Sequence, residues 1–149
     1  MVFVLILLPL VLTAVVKYLP ALTKHQSISS VAILRPRLVG SKEYTYLEDD
    51  VAQRLRDALS EVPGLRVRDV PPLEIVPFGS DLAQVADSVG ASALIVSTLT
   101  IDAGLVQLNL QVIEARTHRA IFNTPYQSSL DNYPNMMKAA GAALKRALF

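Results

Sequence analysis

The sequence predicts an α/β domain on a mixed sheet, with elements in the order β-α-β-α-β-β-β-α and one N-terminal transmembrane helix ahead of them. Three observations carry that prediction. Leu47, Val51, Leu55, Leu59 and Val62 recur every three or four positions, the spacing of an amphipathic helix. Residues 93–100, ALIVSTLT, are a nearly continuous apolar run, as in a strand buried on both faces. Val106, Leu108, Leu110 and Val112 alternate with Gln107, Asn109 and Gln111, the period of a strand with one wet face.

Residues 1–16, MVFVLILLPLVLTAVV, hold no charged side chain. A helix of that length reaches about 24 Å, short of a hydrocarbon core of about 30 Å. Extension through Leu22 gives about 33 Å, provided that the Lys17 amine snorkels to the headgroups and Tyr18 sits at the interface. Pro9 is tolerated better in a membrane helix than in a soluble one. A buried core helix usually keeps a polar stripe, and this segment has none. A cleaved signal peptide needs a basic start and a small-residue cleavage site, and the neighbours of Ala21 do not form one. We therefore expect residues 1–23 to be an uncleaved anchor and residues 24–149 to be one domain.

Within that domain, residues 27–34, SISSVAIL, suit a first strand, which Pro36 ends before a loop through Gly40 and Ser41. Thr45 stands three residues before Glu48, the spacing of a capping box. The amphipathic helix follows, with Arg54, Arg56, Asp57 and Glu61 between its apolar positions, and Pro63-Gly64 stops it. Residues 65–70, LRVRDV, alternate as a half-buried strand. Residues 70–78 read as a loop, because Pro71, Pro72 and Pro77 lack N–H donors. Ser80 then caps a short helix carrying Leu82, Val85, Ala86 and Val89, and Gly90 lies just past its end. Asp102-Ala103-Gly104 turns the buried strand into the alternating one. Arg116-Thr117-His118 turns that into a last strand through Ile121 and Phe122. Pro134 opens a final helix with Tyr133, Met137, Ala140, Leu144 and Leu148 on one side. Strands separated by helices are expected to pair in parallel through right-handed crossovers, and the last three to form an antiparallel meander.

Composition bounds the function. With 52% hydrophobic and 18% charged residues, the 149-residue chain is too apolar for a disordered tail and too short for two ordinary domains. Fourteen basic against 13 acidic residues leave a net charge of +1, which argues against a nucleic-acid partner. The absence of cysteine excludes disulfides, thiolate metal sites, a catalytic cysteine and a lipid-modified one.

Several strings resemble the TolB amino-terminal-domain-like family of bacterial extracytoplasmic modules. Ser30 to Pro36 looks like its first strand. Tyr46 to Asp50, with Leu55, Ala58 to Ser60 and Pro63 to Val67, is similar to its first helix and second strand. Val89-Gly90-Ala91 before Leu94 to Val96 resembles its LGV segment and buried strand, and Leu110 to His118 its "L-I-D-A-R-T-G" hairpin. The resemblance spans about residues 27–149. The family often has Gly where Asp50, Ser97 and His118 stand and Trp where Phe122 stands, so three permissive backbone positions are missing here.

The resemblance implies a module held at a bacterial membrane by an anchor helix or a lipid and facing the periplasm; together with the apolar segment, this gives an expected single-pass place in the inner membrane, with the soluble domain in the periplasm. It implies recognition or assembly through a protein partner, with no catalytic activity and no cofactor. The positive-inside rule taken alone points the other way, because Lys17, Lys24, Arg35 and Arg37 all follow the apolar segment. Family members commonly lie between a cytoplasmic signalling domain and TPR repeats. With this chain ending at Phe149, output is expected to pass through a partner, or the frame is a fragment.

The search for reactive constellations adds little. Gly90-Ala91-Ser92-Ala93-Leu94 matches only half of G-x-S-x-G and leads a helix into a strand, the reverse of a nucleophile elbow. His25 lies beside the apolar segment and His118 at a hairpin tip, and neither has a credible orienting partner. Glu48-Asp49-Asp50 lacks a cation-loop pattern and reads as first-turn acids meeting the helix dipole. No catalytic, metal or cofactor residue is therefore assigned. Met136 and Met137 read as core. Arg35, Arg37 and Ser41 are the candidate ligand- or partner-binding residues, because loops at the carboxyl ends of parallel strands form ligand crevices. Two function classes follow: a membrane-tethered binding or scaffold module, and the sensory subunit of a split adenylate-cyclase or transcription-regulator system. A secreted soluble binding domain would require cleavage near Ala21. Oligomeric state is left open.

Overall fold

Four consecutive buried residues, Ser30–Ile33, form strand β1, an interior strand of the sheet. The structure, a computed structural model, describes residues 28–70 and 81–149. Its elements are β1, β2 (Arg37–Val39), a 3-10 turn (Lys42–Tyr44), α1 (Tyr46–Ser60), β3 (Arg66–Asp69), α2 (Leu82–Val89), β4 (Ala93–Asp102), β5 (Leu105–Glu114), β6 (Arg119–Ser129), a second 3-10 turn (Leu130–Asn132) and α3 (Tyr133–Leu148). The anchor expected over residues 1–23, most of the proline-rich loop and the Ser80 cap lie outside the described residues. Among those described, no helix is long and apolar enough to cross a membrane.

The sheet runs β3-β1-β4-β5-β6, with β2 also on β4. β1 pairs in parallel with β3 and β4, whereas β4-β5 and β5-β6 are antiparallel. This is the mixed sheet expected from helix-linked strands followed by tight turns. Successive strand residues point to opposite faces, so the sheet has two cores. Val31, Ile33, Ile95, Leu99 and the even residues Val106 to Val112 meet α1 and α3 through Leu47, Val51, Leu55, Leu59, Met136, Met137, Ala140 and Leu144. Burial of each such large side chain contributes about 1.5–3 kcal/mol. Ala32, Leu34 and Leu94 meet the smaller α2 through Ala86, Leu82, Val85 and Val89.

Four sequence expectations need correction. The chain does not remain a loop after Pro36: β2 resumes the ladder along Thr98–Thr100 with its register slipped by one residue from that of β1. Pro36, without an N–H, marks the break. The capping box is absent, because Thr45 is helical (φ −57°) and already donates its N–H to Lys42 O as the end of the 3-10 turn. β4 is buried on both faces only at Ala93 to Ile95. From Val96 onward its second face is half-exposed, since α2 covers only the start of the strand. β6 runs on through Pro125 to Ser129, well past Phe122.

Two turns use positive φ. Ala103 (φ 46°) and Gly104 (φ 77°) make a two-residue β4-β5 loop, the type I′ geometry that matches strand twist. His118 (φ 58°) keeps the left-handed conformation where the resembling family has glycine, and its N–H donates to Glu114 O.

Candidate functional site

The carboxyl ends of β1 and β4 diverge toward different connections, the place where an open α/β sheet usually leaves a ligand crevice. Here the crevice is filled. β2 lies along the second half of β4, and Glu48 of α1 holds the junction. Glu48 Oε1 accepts the Leu38 N–H at 3.2 Å, and Oε2 accepts Arg35 Nε at 3.1 Å. The carboxylate is only 16% exposed, so the helix's first turn acts as a clamp on the broken strand. Arg35 Nη2 also lies 3.5 Å from Asp49 Oδ1.

Beside this clamp, α1 and the start of α3 flank a shallow groove of about 640 Å³ that lies largely open to solvent, lined by Tyr46, Leu47, Asp49, Asp50, Gln53, Arg54, Leu130, Asp131, Tyr133 and Pro134. Asp50 Oδ2 accepts both Arg54 Nε at 2.6 Å and the Tyr133 hydroxyl at 2.8 Å. The Arg54 guanidinium stands 5.7 Å from the Tyr133 ring centre, within cation–π range. Burial, then the Asp50 carboxylate, push the Tyr133 hydroxyl well above the usual tyrosine range. Asp50 also raises the Arg54 pKa by accepting its hydrogen bond. The floor of the groove is thus a closed set of three side chains, and its rim is the exposed Tyr46, 60% accessible, with Asp49.

The residues expected from sequence are not gathered into one place. Arg35 is exposed but ion-paired to α1. Arg37 lies on the opposite face of the sheet, since its neighbour Leu38 packs into the larger core. Ser41 is exposed at the start of the 3-10 turn and makes no side-chain capping bond. Sequence reasoning missed Tyr46, Asp50, Arg54 and Tyr133. The Asp50–Arg54 pair had a signal in its i,i+4 spacing on a helix, whereas Tyr133 reaches Asp50 only through the tertiary fold.

Ser92 has a structural role. Its hydroxyl donates to Ser30 O at 2.7 Å and accepts the N–H groups of Ser30 at 3.0 Å and Ser29 at 3.2 Å. It ties the start of β4 to the start of β1. Among the described residues, no group of three or more acidic or histidine side chains could hold a metal ion.

Solved structures share this fold. TolB from Acinetobacter baumannii superposes with a TM-score of 0.57 at 10% identity, over 83% of this chain and 29% of that one. The C-terminal domain of LpoB from Escherichia coli gives 0.53 at 16% identity, over 71% of this chain and 86% of that domain. The lipoprotein GNA1162 from Neisseria meningitidis gives 0.51 at 13%, over 79% and 96%. The likeness is one of fold. This chain therefore has a TolB- and LpoB-like α/β domain and spans less than a third of the TolB chain. No family model matches the sequence, and no curated protein sequence does.

Proposed function

We propose that this protein is a non-catalytic recognition module of the bacterial envelope, held at the inner membrane by residues 1–23 with residues 24–149 in the periplasm, where they contact a protein partner. The observation that carries the reading is the commitment of the site's polar groups to one another. Asp50 is held by Arg54 and Tyr133, Arg35 by Glu48 and Asp49, and Ser92 by backbone. The lining of the groove holds no serine, cysteine, histidine or lysine to serve as nucleophile or imidazole base, and its Asp50 Oδ2 is shared by Arg54 and Tyr133. Fold likeness to a lipoprotein and to TolB and LpoB supports the envelope setting. The contact surface we assign is the rim of Tyr46 and Asp49 together with Arg35, which pairs with Asp49; Ser41, exposed at the start of the 3-10 turn, is a further candidate contact. Arg37 belongs to a separate patch on the other sheet face.

The test is made in cells. Protease added to spheroplasts should digest the C-terminal domain, while the N-terminal peptide stays in the membrane after alkaline carbonate washing. A photo-crosslinking residue at Tyr46 should give a discrete adduct that the same probe at Asp87, exposed on α2 across the sheet, does not. A protected domain would overturn the orientation, and identical adducts from both positions would overturn the contact surface.

A further inference from the structure

We propose that Pro125 is the residue that keeps strand β6 from pairing, edge to edge, with β6 of a second copy of this chain. The two edges of the sheet are built differently. β3 is four residues long and carries Arg66 and Arg68, so brevity and charge both discourage strand addition. β6 is eleven residues long, and none of Ala120 to Ser129 is charged. Among the described residues, no strand lies on its outer side.

An edge of that length and neutrality is self-complementary. Two copies running antiparallel place no like charges opposite one another, and each backbone N–H and C=O on the outer side finds a partner. What interrupts this surface is Pro125. It sits opposite Asn109 in a ladder that runs without a register shift from Phe122 to Ser129, the only irregularity falling between Val112 and Ile113. A strand carries a proline in this way when the ring nitrogen faces outward, because an inward nitrogen removes a ladder bond. Pro125 thus withdraws a donor from the middle of the outer row and places its ring where a partner's carbonyl would dock. The β-bulge near Ile121 guards one end of the strand, and the proline guards the centre.

The experiment is sedimentation velocity on the full-length protein in one detergent, comparing wild type with P125T and P125A, which both restore an N–H. The expected result is self-association at least ten-fold tighter for P125T and P125A than for wild type, with unchanged far-UV circular dichroism. In a pairing centred on position 125, Asn123 faces Gln127 of the second copy. N123K/P125T/Q127K therefore sets lysines against each other and should return the protein to wild-type behaviour. Association of P125T and P125A no tighter than that of wild type would overturn the proposal, and so would a lysine-bearing variant that associates as tightly as P125T. Loss of folded structure in both single variants would also overturn it, since the inner ladder does not use the Pro125 nitrogen. None of these outcomes depends on the envelope partner.

Discussion

Replacing Ser92 by alanine separates a strand clip from a nucleophile. The Ser92 hydroxyl touches three backbone groups at the start of β1. Ser30 is 3% exposed, so its N–H is left in a partly buried setting, whereas the Ser29 N–H is exposed and turns to water. Ser30 O keeps the Ser92 N–H at 3.2 Å. One net hydrogen bond lost to Ser30 O and one stranded donor at Ser30 give about 2 kcal/mol. For a domain of this size that is a fall in Tm of about 6–10 °C. Thermal denaturation followed by circular dichroism measures it, with Ser88→Ala as the control. Ser88 bonds only Val85 O on an exposed helix surface, and its loss should stay within about 0.5 kcal/mol. A Ser92→Ala protein as stable as that control, or one that keeps its Tm while losing a hydrolytic activity, would refute the clip.

Two further substitutions follow from local geometry. Ala103→Asn should raise stability by about 1 kcal/mol, because alanine bears a left-handed φ that asparagine tolerates at the first position of a type I′ turn; chemical denaturation reads the gain. Tyr133 has its folded pKa raised by burial and by Asp50, so its share of stability is full below the unfolded tyrosine pKa of about 10 and is lost as pH climbs beyond it. Melting temperature measured from pH 9 to pH 11 should therefore fall more steeply for the native protein than for Tyr133→Phe.

What the sequence made legible was what repeats locally. α1 announces itself through four buried positions spaced by four residues, and β5 through strict alternation. β2 could not be seen, because three residues between Pro36 and Gly40 carry no period, and their pairing is set by β4 some sixty residues later. Glu48 shows how a correct motif can miss its structure. The spacing from Thr45 was right, but the preceding 3-10 turn had already taken the Thr45 N–H, which freed the carboxylate to clamp Leu38 and Arg35. The alternation of β6 continues past Phe122 to Tyr126, with Asn123 and Gln127 on the other face, but Pro125, which lacks an N–H, interrupts the local strand signal. The groove depends on Tyr133 reaching Asp50 across 83 residues, a separation that local pattern does not span.

The clamp also bears on the proposed recognition of a protein surface. In an open α/β sheet, the gap where connections diverge is the natural seat for a small ligand. This chain spends that gap on its own β2 and fixes it with a partly buried carboxylate, so the strand ends present packed backbone instead of a cavity. What is left outside is broad and shallow: an aromatic and acidic rim on the α1 side, and on the other face neutral side chains such as Thr98, Asn109 and Asn123. Small molecules bind where most of their surface can be enclosed, whereas protein partners bind flat patches through a few exposed anchors. On the proposed reading Tyr46, 60% accessible and flanked by Asp49, is such an anchor, whereas Tyr133, locked to Asp50 beneath it, shapes the floor. Removing the ring at Tyr46 should therefore weaken a partner's hold without loosening the fold, and removing the ring at Tyr133 should do both.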